Sequence, residues 1–417
     1  MKIRVGIEAL SIAVPHRFLA LEDLARARNV EPAKYIAGLG VSQMAVAEPG
    51  EDTVALAATA AARLIKNESL DPQRIGMLIV GTETGVDHSK PVASFVQGLL
   101  KLPASMRTFD TQHACYGGTA GLMAATEWIV SGSAKGKVAI VICSDIARYG
   151  LNTAGEPTQG GGAVAMLISD NPELLELDFG VNGTHASNVH DFWRPIGHRE
   201  AQVDGHYSMQ CYLDALQGSY RSWKANAAAK EILRPDGTLP SEQLAKIAYH
   251  VPFCKMAKKA HLHVRRVDTE DKLGHAWTPE LEAEEKPRSE ASFKRQVEPT
   301  LSLCSKVGNV YTASLYLSLA GLLESEGDAI AGKRIGMFSY GSGSSSEFFS
   351  GVVGPRAGAK VRALGLSALL ESRERVSMEE YERIFNHPPS EPISTHAAPG
   401  TFRFVGVENH RRTYQEG

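Results

Sequence analysis

The sequence predicts an α/β fold. Three observations carry this. Ile75–Val80, Lys137–Cys143, Ala163–Ser169 and Arg334–Ser339 are short continuous apolar runs, as strands buried on both faces show. Helix-period segments separate these runs. Two other helices, Asp110–Ile129 after its polar start and Asn309–Leu323, mix apolar with small residues, as a helix enclosed on all sides needs. The same order of parts recurs in residues 1–170 and 171–417, although the two do not align letter by letter. An ancient duplication and a division near residue 170 are therefore expected.

Val5–Val14 reads as the first strand, and Leu21–Arg28 and Pro32–Ile36 as short helices. Gly38–Met44 is a glycine-punctuated turn. Asp52–Asn67 is a long alanine-rich helix with apolar residues at helical spacing. Ile75–Val80 ends at Gly81-Thr82-Glu83. Lys90–Leu100 is a helix, and Arg107–Gln112 leads as a strand into Cys115. Lys137–Cys143 ends at Ser144-Asp145, and a polar loop, Arg148–Gly162, precedes the next strand. In the second part, Gln243–Tyr249 is a strand ending at His250, followed by a helix with Lys255, Lys258 and Lys259. Arg265–Gln296 is dense in charge and poor in large apolar residues, so a solvated excursion or loose helix is expected. Thr401–Val407 is a last strand.

Composition excludes several classes. The chain has 417 residues, 43% hydrophobic and 22% charged, as an ordinary soluble globular protein does. A net charge of −3 offers nothing to nucleic acid. No apolar run approaches the ~20 residues of a membrane span, and Glu8 interrupts the only signal-like start. The five cysteines lack C-x-x-C and zinc spacing, so free thiols in a reducing, cytoplasmic setting are expected, with no metal.

Candidate chemistry gathers at three places. Glu83 and His250 lie just past strands, and Cys115 lies where a strand gives way to a helix; ligands bind at that edge of open α/β sheets. A helix N-terminus favours a thiolate, the nucleophilic form. Thiol and imidazole make a nucleophile pair, and a carboxylate adds a second proton transfer, such as from a carbon acid. The alternatives are a core cysteine, a helix-capping glutamate and a structural histidine.

Several motifs strongly resemble the 3-hydroxy-3-methylglutaryl-CoA synthases. They are VGTETGVDHSKP (Val80–Pro91), TQHACYGGTAG (Thr111–Gly121), DFWRP (Asp191–Pro195) and VDGHYSMQCYLDAL (Val203–Leu216). YHVPFCKMAKK (Tyr249–Lys259), GNVYTASLYLSLA (Gly308–Ala320), RIGMFSYGSGSSSEFFS (Arg334–Ser350) and HRRTY (His410–Tyr414) complete the set, so the resemblance runs from about Gly6 to Tyr414. It implies the thiolase fold, a duplicated five-layer αβαβα arrangement, and a homodimer. It implies that Cys115 takes the acetyl group of acetyl-CoA, that Glu83 removes a proton from its methyl, and that His250 polarises or protonates the ketone of acetoacetyl-CoA. Asn309 and Ser342 are then expected at the acetoacetyl pocket and Lys255 and Lys259 at the CoA phosphates. Ser208 and Thr158 are expected to touch substrate, and Asp87, Asp145, His185, Asp191 and Tyr149 to form a supporting polar shell. No cofactor is implied beyond the coenzyme A thioester substrates. An ordinary solvated face for the lysines, and loop-fixing roles for the aspartates, are the rival readings.

Three other functions fit parts of this pattern. Relatives in polyketide β-branching take substrates from acyl-carrier proteins, but the longer loop expected near residue 150 is missing and Lys255 and Lys259 suit free CoA. A β-ketoacyl synthase or thiolase would leave Glu83 without a role. A non-catalytic scaffold would not need Cys115, Glu83 and His250 together.

Overall fold

A computed structural model describes residues 4–388, 391 and 399–417. Its centre is one path of paired strands: β1 (Gly6–Ala13), β2 (Ile75–Gly81), β3 (Arg107–Thr111), β4 (Val138–Ala147), β5 (Gly160–Ser169), β6 (Leu175–Leu177), β7 (Gly183–Ala186), β8 (Lys246–Tyr249), β9 (Arg334–Gly341) and β10 (Ser345–Val353). The order is β8-β9-β10-β6-β1-β5-β4-β2-β3, and β7 pairs with β10.

That order contains one pattern twice. In the first, β2 lies parallel to β4, β4 antiparallel to β5, and β5 antiparallel to β1. In the second, β8 lies parallel to β9, β9 antiparallel to β10, and β10 antiparallel to β6. In each, the strand that comes first in the chain sits beside the strand that comes last. This is the repeat that the order of parts suggested, and it gives the duplicated helix and sheet layers of the thiolase fold. β6 pairs with both β1 and β10, so it joins the two sets.

The helices are α1 (Leu21–Ala27), α2 (Pro32–Leu39), α3 (Thr53–Asn67), α4 (Val92–Leu99), α5 (Gly117–Val130), α6 (Gly205–Ala229), α7 (Cys254–Leu273), α8 (Pro279–Gln296), α9 (Ser314–Glu326) and α10 (Met378–Asn386). α9 is buried from Ser314 to Leu323. Thr119 of α5 hydrogen-bonds Tyr316 Oη of α9 and Ser339 Oγ of β9, each at 2.8 Å, tying the two small-residue helices to the sheet. The close approach depends on missing side chains. A Cβ on Gly81 would lie 2.4 Å from the backbone of Gly118, and one on Gly118 would lie 2.3 Å from Cys143 Sγ. Asp52 caps α3 by accepting from the Ala55 N–H at 2.9 Å. It also accepts from Arg412 and Tyr414, so the HRRTY motif serves to dock the C-terminal hairpin on this helix.

Two expectations about elements change. Arg265–Gln296 is exposed over much of 271–284, as expected, but it is built of two packed helices rather than being loose. It is the second half of α7 and all of α8, with Arg265 only 3% exposed and paired to Glu242 at 2.9 Å and Glu285 at 2.8 Å. His261 Nε2 meets Ser292 Oγ at 2.7 Å across the same seam, beside Phe293. The charges satisfy one another inside the helix pair, which composition alone does not distinguish from solvation. Asn309–Leu323 is not one helix. A 3-10 turn, Tyr311–Ala313, precedes α9, and Tyr311 has φ 42°. Among the described residues no helix is long and apolar enough to cross a membrane.

Candidate active site

The chain reverses sharply before the nucleophile candidate. Ala114 has φ 40°, a left-handed conformation that costs an alanine about 1–3 kcal/mol and is held only where its surroundings enforce it. Cys115 follows, and α5 begins at Gly117. Cys115 is partly buried and packs against an apolar box of Ala147, Tyr149, Ala201 and Tyr311, joined by Phe192. The rings of Tyr149, Phe192 and Tyr311 meet edge to face, with centroids 5.8–6.4 Å apart.

Glu83 reaches this sulfur. It is 8% exposed, and the thiol donates to its Oε1 at 3.6 Å. Its backbone is fixed from below by Asp145, which is fully buried. Asp145 Oδ1 accepts from the Thr82 hydroxyl at 2.8 Å, the Glu83 N–H at 2.9 Å and the Thr84 hydroxyl at 2.7 Å. Its other oxygen accepts from the Thr312 N–H at 3.1 Å. A buried carboxylate without a cation is tolerable only with such full hydrogen bonding. Asp145 thus ties the β2 and β4 ends to the turn before α9.

The electrostatics correct one expectation. Burial, reinforced by the charges of Glu83 and Asp145, pushes the Cys115 thiol well above its ordinary value. The helix N-terminus does not leave a resting thiolate, because desolvation beside carboxylates outweighs a dipole effect of about 0.3–1 kcal/mol. Burial and then Asp145 push Glu83 up to about 8, against the opposing charge of Arg194. His250, 3% exposed at the end of β8, is pulled down by burial to about 3, so its imidazole is neutral at working pH. Its backbone N–H donates to Phe338 O of β9 at 2.7 Å, and its carbonyl accepts from Tyr212 Oη at 2.7 Å.

A pH dependence of stability follows from Glu83. A carboxyl raised from 4.5 to about 8 keeps its proton in the folded state where the unfolded chain has released it. Stability from this group is therefore full below the unfolded value and is lost as pH rises toward the folded one. Glu83→Gln is expected to melt several degrees above the parent at pH 8, with the gap closing toward pH 5. Thermal unfolding across that range measures it, and a gap independent of pH would contradict it.

The remaining residues divide into groups. Asp191, fully buried, accepts from Tyr340 Oη at 2.6 Å and the Gly343 N–H at 3.0 Å, so it pins the turn that carries Ser342. Ser208 donates to the same carboxylate at 3.4 Å. Asn309 Oδ1 accepts from the Tyr311 N–H and the Ser314 hydroxyl, both at 2.9 Å, and the Tyr149 hydroxyl faces Asn309 and Tyr311. Thr158 touches Asn309 only through its backbone, its carbonyl accepting the Asn309 N–H at 3.0 Å. His185 lies on β7, opposite Ser346 of β10, with its ring against Gly218 of α6. Asp87 is exposed and caps the turn before α4, accepting from the Ser89 and Lys90 N–H groups at 2.8 Å. Lys255 donates to Ala37 O at 3.4 Å and lines a cleft of about 370 Å³ between α2, α7 and α8, with Lys258 and Lys294. Lys259, one turn on, lies against Met209 Sδ at 3.1 Å. The other four cysteines are buried free thiols.

Sequence reasoning assigned no role to Phe192, Arg194, Tyr311 or Ala114. Each lies in or beside a quoted motif, but their importance is a matter of packing between distant segments.

A partly buried thiol hydrogen-bonded to a buried carboxylate, on a duplicated sheet of this topology, defines a thiolase-fold acyltransferase of the carbon–carbon condensing kind. The descriptions "Hydroxymethylglutaryl-coenzyme A synthase N terminal" and "C terminal" match residues 2–173 and residues 175–286 and 265–416. The chain is 37% identical to the hydroxymethylglutaryl-CoA synthase of Enterococcus faecalis over 91% of both chains. It is 34% identical to PksG of Bacillus subtilis, a polyketide-biosynthesis 3-hydroxy-3-methylglutaryl-ACP synthase, over 92% of this chain and 88% of that one. A solved structure of MvaS in complex with 3-hydroxy-3-methylglutaryl coenzyme A superposes with a TM-score of 0.97 at 62% identity, covering 100% of both chains. The chain belongs to the hydroxymethylglutaryl-CoA synthase family, and its activity is the condensing activity of that family.

Proposed function

We propose that the enzyme condenses acetyl-CoA with acetoacetyl-CoA by a route in which Cys115, Glu83 and His250 hold the roles expected of them. The observation that carries it is the 3.6 Å contact between Cys115 Sγ and Glu83 Oε1 in a desolvated box. Cys115 attacks the thioester carbonyl of acetyl-CoA. The acetyl group passes to sulfur, and CoA leaves as the thiol with the cysteine proton. Glu83, raised by burial, then suits the removal of a proton from the acetyl methyl, because a desolvated carboxylate is a stronger base. The enolate carbon bonds to the ketone carbon of acetoacetyl-CoA. The neutral His250 imidazole donates a hydrogen bond that polarises the ketone oxygen, and the proton taken up by Glu83 passes to the alkoxide as it forms, so that both groups return to their starting forms. Water cleaves the thioester and returns Cys115. The turn pinned by Asp191 and the Cys115 N–H are the candidate donors for the thioester oxyanion, each worth about 2.7–4 kcal/mol by analogy with other acyl transferases.

Free CoA rather than a carrier protein is favoured by 62% identity to the MvaS structure, against 34% to PksG, and by Lys255 and Lys294 in a cleft where Lys258 is paired to Glu290 at 2.6 Å. We place the enzyme in the cytoplasm as a homodimer; β3 ends the strand order and offers a free edge among the described residues. Intact-protein and peptide mass spectrometry tests the route. Acetyl-CoA alone is expected to leave one acetyl group on the Cys115 peptide, and acetoacetyl-CoA to remove it with release of product. Label on another residue, or none, overturns it. His250→Ala is expected to slow condensation by about 10²–10⁴-fold while acetylation changes far less. The two half-reactions, timed separately by rapid quench, check this.

A further inference from the structure

The loop between β4 and β5 carries Tyr149, and it hangs on a buried ion pair remote from the reacting groups. Glu156 is 1% exposed. Its carboxylate takes a two-point fork from Arg28, with Nε–Oε2 2.9 Å and Nη2–Oε1 2.8 Å. Arg28 caps the C-terminus of α1. Glu156 Oε2 also accepts the Asn152 N–H at 2.9 Å, and Oε1 accepts the Tyr381 hydroxyl of α10 at 3.2 Å. That hydroxyl accepts in turn from the Gln159 amide at 2.7 Å. Gln159 Oε1 accepts the Tyr149 N–H at 2.9 Å. An unbroken chain of hydrogen bonds thus runs from Arg28 to the backbone of a residue whose ring forms the box around Cys115.

Each link has a physical reason to be discrete. Removing either partner of a buried, forked pair leaves the other charge unpaired, so the loop cannot slide without losing the whole set. The Tyr149 hydroxyl hydrogen-bonds Tyr311 and Asn309, and its ring touches Phe192 and Tyr311 edge to face, so the chain from Glu156 adds a hold on its backbone to those on its side chain.

We propose that Glu156 and Arg28 are a positioning pair which, through Tyr381 and Gln159, sets Tyr149 against Cys115 and so sets the rate of acetyl transfer. This rests on Cys115 being the acetylated residue. Glu156→Gln keeps the shape but turns an amide donor toward the guanidinium. The expected result is an acetylation rate at saturating acetyl-CoA lower by roughly tenfold, the range contacting networks show, with the apparent acetyl-CoA affinity changed less than about twofold. The diagnostic is a double-mutant cycle with Tyr149→Ala, which removes the ring that is being positioned, measured by quenched labelling at a temperature where every variant gives the parental circular dichroism. If Glu156 acts through Tyr149, the double variant is no slower than Tyr149→Ala alone. Losses that multiply overturn the proposal. Arg28→Lys, which keeps the charge but not the fork, is expected to repeat the effect and replaces Glu156→Gln if that variant does not fold. Glu382→Gln removes the exposed partner that Arg28 also meets at 2.8 Å and is expected to leave the rate unchanged. An equal loss there also overturns the proposal. Absence of label on Cys115 in the parent protein would instead overturn the assignment of the nucleophile, a separate outcome.

Discussion

Cys115→Ala is expected to abolish acetyl-enzyme formation and to lower turnover by roughly a millionfold, the scale seen when a covalent nucleophile is removed from an acyl transferase. The side chain is small and only partly buried, and it packs at the rim of an apolar box rather than in the main core. The fold should therefore survive, and a thermal melt close to that of the parent is part of the prediction. The measurement is labelling with isotopic acetyl-CoA followed by peptide mapping. Label retained at another cysteine would remove Cys115 as nucleophile; Cys143, Cys211, Cys254 and Cys304 are all buried, so none is an easy substitute.

Glu83→Ala should separate the two halves of the reaction. Acetylation of Cys115 is expected to persist. Glu83 is one of the charges that hold the thiol up, so its removal makes the thiolate easier to form. Condensation is expected to fall by about 10²–10⁴-fold, because Glu83 is the carboxylate that meets the sulfur and a positioned base contributes that much. A second readout is exchange of acetyl methyl protons with deuterated water. The parent acetyl-enzyme should exchange and the variant should not. Normal turnover in the variant would eliminate Glu83 as the base. Asp145 is a poor substitute, since both of its oxygens are already occupied by Thr82, Thr84 and Thr312.

The resting state has a consequence for how this site works. Thiol and carboxyl are each pushed toward their protonated forms, and the imidazole toward its neutral form. Before a thioester arrives, these three side chains themselves therefore carry little charge. Charge then develops in a dry pocket whose dipoles are already in place, which is where electrostatic stabilisation is largest. Asp145 matters here twice. It raises Glu83 by its charge, and it fixes the Glu83 backbone by a 2.9 Å hydrogen bond.

Local pattern alone located much of this protein. The buried strand ending at Gly81, the strand leading to Cys115 and the strand just before His250 were legible from short apolar runs bounded by turns, while β4 runs four residues past the expected end at Cys143, to Ala147. Their edge was legible as the place for chemistry, and the long motifs made the family legible with it. The elements that escaped periodicity include β10 and α6. β10 is rich in serine and glycine and is buried on both faces. α6, 25 residues long, has a mixed surface because it packs along several elements. The segment 265–296 misled because composition counts charges but does not pair them.

What the amino-acid order determined by itself is the set of parts: which runs become strands, where glycine permits backbones to touch, and which thiol, carboxylate and imidazole lie at strand ends. Only the folded chain decided their state. The protonated thiol and the raised carboxyl come from burial in the box of Tyr149, Phe192 and Tyr311 and from the nearness of Asp145, none of which is adjacent to Cys115 in sequence, and the neutral histidine comes from its own burial at the end of β8. Desolvation and Coulomb energy depend on distances through space, and a linear pattern encodes those only once the sheet has brought its ends together.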